Sequence, residues 1–390
     1  MKKKSYLTIL LLLFALLFAG CDARREEEPK RAQTEPTTPA GSSSEEIDPQ
    51  WLEENMPPQL QLENLPSGFF GPKFLEERNI FTSVYHGNPV EMDLEHDAKK
   101  GMPGLTREVT WIFVDGIPVP MTWENGETKT FFPLDYPVLN ERLHDTVRFE
   151  PLTGKKGEKL AVFIPWISNA FLDFPPGNPF FSTMISREGT VAPSILKGIV
   201  MEADAKEGDL TFRQETAKAQ AITKEMKIKY FIDEDALEKM TEKEIDAMVI
   251  QGPQAQLRMN DTSATVLQKP EDYTKNTWEL ALVGPNTIYG EGNFRLSLLK
   301  NYERIPFGDC DYIDVKLEAN KLTLVPIHFP DIEYQDKDVL RVMVAPRDTI
   351  PNIFEEKPSI MDYEWPKVFA SWVLYTWTGD IPEYMRSGSE

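Results

Sequence analysis

Three aspartates near residue 310 have a spacing at which carboxylate oxygens can converge on a cation. Asp309, Asp311 and Asp314 follow a D-x-D-x-x-D pattern, and oxygen ligands of this kind suit Ca²⁺. The glycine and the terminal glutamate of a calcium-binding loop are absent at the required places. The pattern therefore favours a solvated acidic turn over a metal site.

The candidate nucleophiles and zinc ligands are equally isolated. Cys310 lies between Asp309 and Asp311, and neighbouring acids raise the pKa of a thiol, so a buried core cysteine is the favoured interpretation. His328 lies in the apolar run from Val325 to Phe329 and is predicted to be packed and hydrogen-bonded. Phosphate-loop and serine-elbow motifs are absent too. We predict no catalytic residue and no cofactor. No zinc site is predicted either, because the four histidines do not have the spacing of zinc ligands. They are His86, His96, His144 and His328.

Tryptophans give the remaining chemical signal. Trp365, Trp372 and Trp377 crowd the C-terminal end of the chain, and exposed tryptophan faces can stack on sugars or form protein hot spots. Alternation along Phe369–Trp377 places Trp372 on the opposite side of a strand from Val373. Core packing is the favoured alternative, so these three are weak candidates for ligand contact. Ligand contact and core packing are also the two alternatives for three tryptophans nearer the N-terminus, namely Trp111, Trp123 and Trp166.

Short apolar and β-branched runs bounded by Gly, Pro, Asn and Asp predict the strands that must position these side chains. Asn125-Gly126 and Ala319-Asn320 are typical of tight hairpins. The predicted strands are Glu108–Ile117, Thr128–Phe132, Val147–Glu150, Leu160–Trp166, Ile195–Glu202, Glu225–Ile232, Trp278–Val283, Phe294–Leu299, Tyr312–Leu317, Lys321–Pro326 and Val339–Ala345.

Helical periodicity is confined to Asp235–Val249, where apolar residues recur at a spacing close to 3.6. We expect one short helix there, serving as a crossover packed on the core; a docking helix is the alternative. With 31 prolines and many short strands, the fold class predicted is mainly β, with two tandem Ig-like β-sandwich domains.

A loose internal repeat supports two related domains. The stretch from Ile112 to Pro118 has an echo from Leu298 to Pro306, Val147–Glu150 echoes Ile332–Gln335, and Leu160–Ile164 echoes Leu340–Val344. Chance similarity between strands is the alternative. The domain boundaries expected are a signal peptide over 1–20, a linker over 21–50, a first sandwich over 51–205 and a second over 206–390.

The first residues carry an export signal. Lys2, Lys3 and Lys4 precede an apolar run from Leu7 to Ala19, and Ala19-Gly20-Cys21 follows. A run of this length is typical of a signal peptide and short for a membrane span, which takes about 20 apolar residues. The sequence resembles the lipobox of bacterial lipoproteins, although Phe18 stands where that family prefers leucine. The resemblance implies cleavage before Cys21 and a diacylglycerol on its thiol. An ordinary secretory signal and a short membrane anchor are the alternatives.

Residues 22–50 are polar and rich in Pro, Ser, Thr and Glu, which predicts a disordered tether. The formal net charge of −21 argues against nucleic acid as a partner. If Cys21 carries lipid, Cys310 has no disulfide partner within a chain of two cysteines. The localisation expected is the outer face of the bacterial cytoplasmic membrane, or the periplasmic side or outer membrane where two membranes exist.

These observations favour a lipid-anchored cell-envelope protein that binds or scaffolds another envelope protein without catalysis. The runner-up is a module that binds carbohydrate or cell wall through its tryptophans. An envelope hydrolase with a carboxylate site is a third possibility that no motif supports. The loop from Phe174 to Phe180 is either a capped end of the core or a contact surface.

Overall fold

The structure is a computed structural model that describes residues 72–74, 83–97, 107–135, 142–167, 195–206, 208–232, 234–285, 292–347 and 368–380. Several predictions fall outside these ranges. They concern Cys21, the linker over 21–50 and its boundary with the first sandwich at residue 51, Trp365, and the loop from Phe174 to Phe180. The described residues all belong to one compact unit, Pro58–Glu390.

The N-terminal sandwich consists of three sheets. Sheet A has the order β1-β3-β10-β7-β8, sheet B has β2-β13-β11-β5-β6, and sheet C has β12-β4-β9. Their strands are β1 (Pro72–Phe74), β2 (Ser83–Tyr85), β3 (Val90–Asp97), β4 (Arg107–Thr110), β5 (Phe113–Val114), β6 (Ile117–Pro118), β7 (Met121–Thr122), β8 (Thr128–Lys129), β9 (Phe132–Asp135), β10 (Arg142–Phe149), β11 (Lys159–Ile164), β12 (Trp166–Ile167) and β13 (Ile195–Met201).

The C-terminal sandwich consists of two larger sheets. Sheet D has the order β14-β22-β20-β24-β26-β18, with β21 and β25 paired to its side, and sheet E has β15-β23-β19-β16-β17. Their strands are β14 (Phe212–Gln214), β15 (Gln220–Ala221), β16 (Gln254–Met259), β17 (Thr262–Ser263), β18 (Leu267–Gln268), β19 (Trp278–Val283), β20 (Gly292–Lys300), β21 (Glu303–Ile305), β22 (Tyr312–Leu317), β23 (Lys321–Ile327), β24 (Val339–Arg347), β25 (Phe369–Ala370) and β26 (Leu374–Thr376).

Sheets B and D are buried on both faces because their strands are apolar at successive positions. In β11, Val162 packs between sheets A and B, whereas its neighbour Phe163 packs toward sheet D. In β24, Val342 faces sheet E and Met343 faces sheet B. Successive side chains of a strand point to opposite faces, so one apolar run fills two core layers. The order of the sheets is therefore A, B, D, E.

A helical layer covers the outer face of sheet E. Two of its helices are α1 (Lys224–Phe231) and α3 (Glu242–Ala247). The short helix α2 (Glu234–Leu237) lies between them in the chain, and α4 (Asp272–Lys275) lies between β18 and β19. Tyr230 of α1 and Ile250 after α3 pack with Ala281, Val283 and Leu322 of the sheet. The strand pairings of sheets A to E confirm the mainly β sandwich class predicted from sequence.

Several secondary-structure predictions are wrong. The single strands expected over Glu108–Ile117, Thr128–Phe132 and Leu160–Trp166 are each divided between strands of two sheets. The strand expected over Glu225–Ile232 is helix α1, because Thr223 caps it by accepting the Met226 N–H and Met226 and Tyr230 are one helical turn apart on the face toward sheet E. The single helix expected over Asp235–Val249 is two helices. It is interrupted at Thr241, which forms a capping box with Glu244 and starts α3 afresh.

The turn at Ala319-Asn320 is also not a hairpin within one sheet. It carries the chain from β22 in sheet D to β23 in sheet E, and Asn320 adopts a positive φ of 52°. The Asn125-Gly126 turn does join two paired strands, β7 and β8.

The proposed repeat has one matching pair of hairpins. Asp115 and Gly116 have φ values of 50° and 77°, and Asn301 and Tyr302 have 51° and 73°. Two successive residues with positive φ are typical of a type I′ hairpin turn, so the two echoing stretches adopt the same local structure. Leu160–Ile164 and Leu340–Val344 also match, as strands paired to those hairpins. The third echo fails because residues 332–335 form no strand. The domain boundary near residue 205 stays a prediction.

Candidate binding site beside Trp372

The acidic motif near residue 310 is neutralised by arginines. Asp309 accepts from Arg213, Asp311 from Arg304 and Asp314 from Arg295, each arginine lying on another strand. Burial favours the neutral form of both carboxyls, but the Arg213 bond outweighs it and lowers the pKa of Asp309. The pKa of Asp311 is lowered first by the backbone N–H of Thr211, which donates to the carboxylate, and then by Arg304. The solvated acidic turn expected from sequence is therefore a set of ion pairs. Among the described residues no group of three His, Cys, Asp or Glu is placed to hold a metal ion.

Cys310 is buried, as predicted. Burial, reinforced by the charge of Asp309, raises the pKa of its thiol to about 11. The thiolate needed for nucleophilic attack is therefore scarce at neutral pH.

His328 differs from its prediction. It is 59% exposed rather than packed, and its Nδ1 lies 3.4 Å from Asp309 Oδ2. His86 is likewise exposed and pairs with Glu202. His96 and His144 lie on β3 and β10.

The N-terminal tryptophans belong to the core. Trp111 is fully buried, and its Nε1 donates to the Tyr302 carbonyl at 3.0 Å. Trp123 and Trp166 are buried as well. A glycan platform built on these rings is therefore ruled out, and the core interpretation is confirmed for all three.

Trp372 is the exception. Its side chain is 56% exposed whereas Val373 is 1% exposed, so the predicted opposite facing of the two residues is confirmed. Trp377 is half-buried, and its Nε1 donates to the Asp380 carbonyl at 3.2 Å. Of the three tryptophan candidates, only Trp372 therefore offers a large free ring within the described residues.

A break between β25 and β26 turns Trp372 outward. The backbone N–H of Ser371 donates to the Val342 carbonyl, and the Ser371 hydroxyl accepts the Val342 N–H. The Ser371 hydroxyl thus replaces a backbone carbonyl as the acceptor in the strand pairing. The strand bulges at the next residue, Trp372. Pairing resumes at Leu374, opposite Leu340. The bulge therefore leaves the Trp372 ring outside the core while Val373 and Leu374 stay buried.

The Trp372 ring lines a groove of about 230 Å³, which we call the Trp372 groove. The groove lies where the chain passes from sheet E to sheet D: the Leu257 carbonyl accepts the Ala264 N–H, and the Val266 carbonyl accepts the Tyr375 N–H. Gln256 supplies its one side-chain amide, and that amide donates to Ser263 Oγ at 2.8 Å. No charged side chain belongs to the described lining, which consists of Gln256, Leu257, Ala264, Val266, Trp372, Val373 and Leu374.

Sequence reasoning identified Trp372 but missed the rest of the groove. Gln256 and Leu257 belong to β16, and Ala264 and Val266 to the crossing that follows β17. The sequence separates them from Trp372 by more than 100 residues. A local pattern carries no information about that pairing, so the strand alternation around Trp372 was the one available signal.

No helix among the described residues is long and apolar enough to span a membrane. No protein-family model matches the chain, and no curated protein matches it.

Several solved structures resemble it weakly. One is the CsuC–CsuE chaperone–tip adhesion subunit complex from Acinetobacter baumannii, with 9% identity, a TM-score of 0.18, and coverage of 80% of this chain and 100% of that one. Another is the C-terminal domain of the AgI/II polypeptide BspA from Streptococcus agalactiae, with 6% identity, a TM-score of 0.19, and coverage of 79% and 100%. Likenesses at these scores carry no argument about this chain.

Proposed function

We propose that this chain is a lipid-anchored cell-envelope protein that binds another protein and does not catalyse a reaction. The observation that carries the proposal is the half-exposed Trp372 ring beside an uncharged groove. Tryptophan is enriched at the energetic centres of protein interfaces because it offers a large apolar area at little entropic cost. The chain would be held at the membrane by diacylglycerol on Cys21.

The anchor determines where binding takes place. Two acyl chains hold a protein stably, whereas a single chain binds membranes only marginally. The proposed location is the outer face of the cytoplasmic membrane, or the periplasmic side or outer membrane of a two-membrane envelope. Expression of the full chain and of Cys21→Ser, followed by membrane fractionation and mass spectrometry, tests this step. Cys21→Ser should lose the lipid mass and leave the membrane; retention without lipid would contradict the anchor.

Site-specific photo-crosslinking in cells tests the binding role. A photoreactive amino acid replaces Ala264 in the groove or, as the control, Val249 on the helical layer, which is 72% exposed. We expect a discrete protein adduct from position 264 alone, and its loss when Trp372→Ala is added. Equal adducts from both positions, or none from position 264, would contradict a partner at the groove. Turnover of a wall or peptide substrate by the purified full chain would contradict the non-enzymatic role.

A wall-glycan module is the second candidate, and the exposed Trp372 ring is what favours it. Co-sedimentation of the full chain with purified cell walls discriminates between the candidates. Saturable binding that is lost in Trp372→Ala and kept in Trp377→Phe would favour the glycan. No binding to walls, together with the crosslinked adduct, would leave the protein partner.

A further inference from the structure

The lining of the Trp372 groove limits what can occupy it. A sugar ring presents several hydroxyl groups, and burying each without a hydrogen bond is costly. The described lining offers one side-chain amide, Gln256, and one of its two N–H groups already donates to Ser263. Six of the seven lining residues are apolar. Leu257, Val373 and Leu374 are almost fully buried, so the apolar surface that the groove exposes belongs to Trp372, Ala264 and Val266. The groove therefore suits an apolar group better than a pyranose.

Its size sets a second limit. Cavities that enclose drug-sized ligands are about 300–1,000 Å³, and this one is about 230 Å³. It accommodates one side chain or one ring rather than a whole oligomer. Hot spots of protein interfaces are enriched in Trp and lie in well-packed pockets, and one anchoring side chain beside Trp372 would form such a contact.

Charge sets the third limit. The chain has a formal net charge of −21, while the described groove lining is uncharged. A negative surface repels an acidic partner and attracts a basic one, and charges around an interface act mainly on association and specificity. The complementary partner presents an apolar side chain with basic residues beside it.

We propose that the Trp372 groove binds one apolar side chain of a partner protein, presented between basic residues. This inference rests on the proposed function and specifies the chemistry of its partner. Trp372 packs against the inserted side chain, and Ala264 and Val266 complete the apolar contact. The basic neighbours of that side chain stay outside the groove, in the field of the acidic chain.

Selective labelling of the indole nitrogens tests this inference on the full chain in detergent micelles. The chain has eight tryptophans, so the spectrum of ¹⁵N-indole groups is small, and Trp372→Phe assigns the resonance of interest. The probe is a five-residue capped peptide, Lys-Gly-Leu-Gly-Lys. Its controls are Lys-Gly-Gly-Gly-Lys, Glu-Gly-Leu-Gly-Glu and a chitin-type oligosaccharide.

We expect a saturable shift of the Trp372 resonance with the leucine peptide, weakened about tenfold or more by loss of the leucine side chain. The acidic peptide should bind more weakly, and the difference should shrink at high salt. The Trp377 resonance serves as the internal control and should not move.

Two results would overturn the inference. A shift with the oligosaccharide and none with the peptides would replace the occupant by a sugar. A Trp372 resonance that stays fixed with every probe would remove the groove as a side-chain site. The proposed function fails separately, when the crosslinking experiment yields no protein adduct at position 264, so the two failures are distinguishable.

Discussion

Two regions of this protein reverse the usual distribution of polar and apolar side chains. At the contact between sheets B and D, a charged cluster is buried. Arg295 is 3% exposed; its Nε and Nη2 donate to the two carboxylate oxygens of Asp314, and its Nη1 donates to the carbonyl and the carboxylate of Asp115. At the Trp372 groove, a large aromatic ring is exposed. Buried charges and exposed apolar patches are the informative exceptions in a folded protein.

The two regions differ in where their interaction partners are. Every charge in the buried cluster is satisfied within the chain, and Arg347 adds a further bond to Asp314. The Gly116 turn fits against Arg295 so closely that an added Cβ would lie 2.8 Å from the Arg295 Cβ. The Trp372 ring instead has room beside it. The first region holds the two sandwiches together, and the second is available for another molecule.

The largest effect is expected from breaking the buried cluster. Arg295→Met leaves the carboxylates of Asp115 and Asp314 buried with reduced compensation, which typically costs about 3–5 kcal/mol of stability. Denaturant unfolding of the full chain measures it. The control is Arg148→Met, which removes an exposed pair with Glu91 and should cost less than about 1 kcal/mol. Equal losses in the two variants would show that burial of the cluster does not matter.

A smaller effect is expected from the tryptophan that links the two sandwiches. Trp111→Phe removes the Nε1–H donor to the Tyr302 carbonyl and leaves that acceptor buried, at a cost of about 1–3 kcal/mol. Trp377→Phe removes a bond from the same atom type at a half-buried position near the surface, where the change should stay within about 0.5 kcal/mol. Unfolding free energies of both variants give the comparison. A Trp111→Phe protein as stable as Trp377→Phe would contradict the linking role.

Acid should weaken the ion pairs next to the cluster by a still smaller amount. The folded-state pKa of Asp309 is lowered because the Arg213 pair outweighs burial. A lowered pKa adds stability above the unfolded value of about 3.9, and that stability is lost as the pH falls through the folded pKa. Unfolding free energies below about pH 4 should therefore fall less steeply with acid in Asp309→Asn than in the unmodified chain. Arg213→Gln should flatten the same slope; an unchanged slope in both variants would count against the pair.

The sequence was sufficient for the fold class because strand composition is local. The apolar runs Leu160–Ile164 and Val339–Ala345 read as strands and are strands. The sequence did not reveal the contacts between residues that are distant in the chain. Arg213 and Asp309 are 96 residues apart, so the acidic motif was interpreted as solvated. Helix α1 contains Ile, Tyr and Phe, which favour strands, and its packing on sheet E overrides that preference. The groove combines three separated segments, of which sequence identified one residue.

Trp372→Ala tests most directly whether the Trp372 groove serves binding rather than stability. Stability and binding are measured in the same full-chain preparation. We expect the unfolding free energy to change by no more than about 0.5 kcal/mol, because over half of the side chain is already exposed. Binding of the Lys-Gly-Leu-Gly-Lys peptide, measured by isothermal titration calorimetry, should weaken about tenfold or more. Unchanged binding would contradict the account, as would a loss of stability of about 2 kcal/mol or more, which would assign Trp372 to the core.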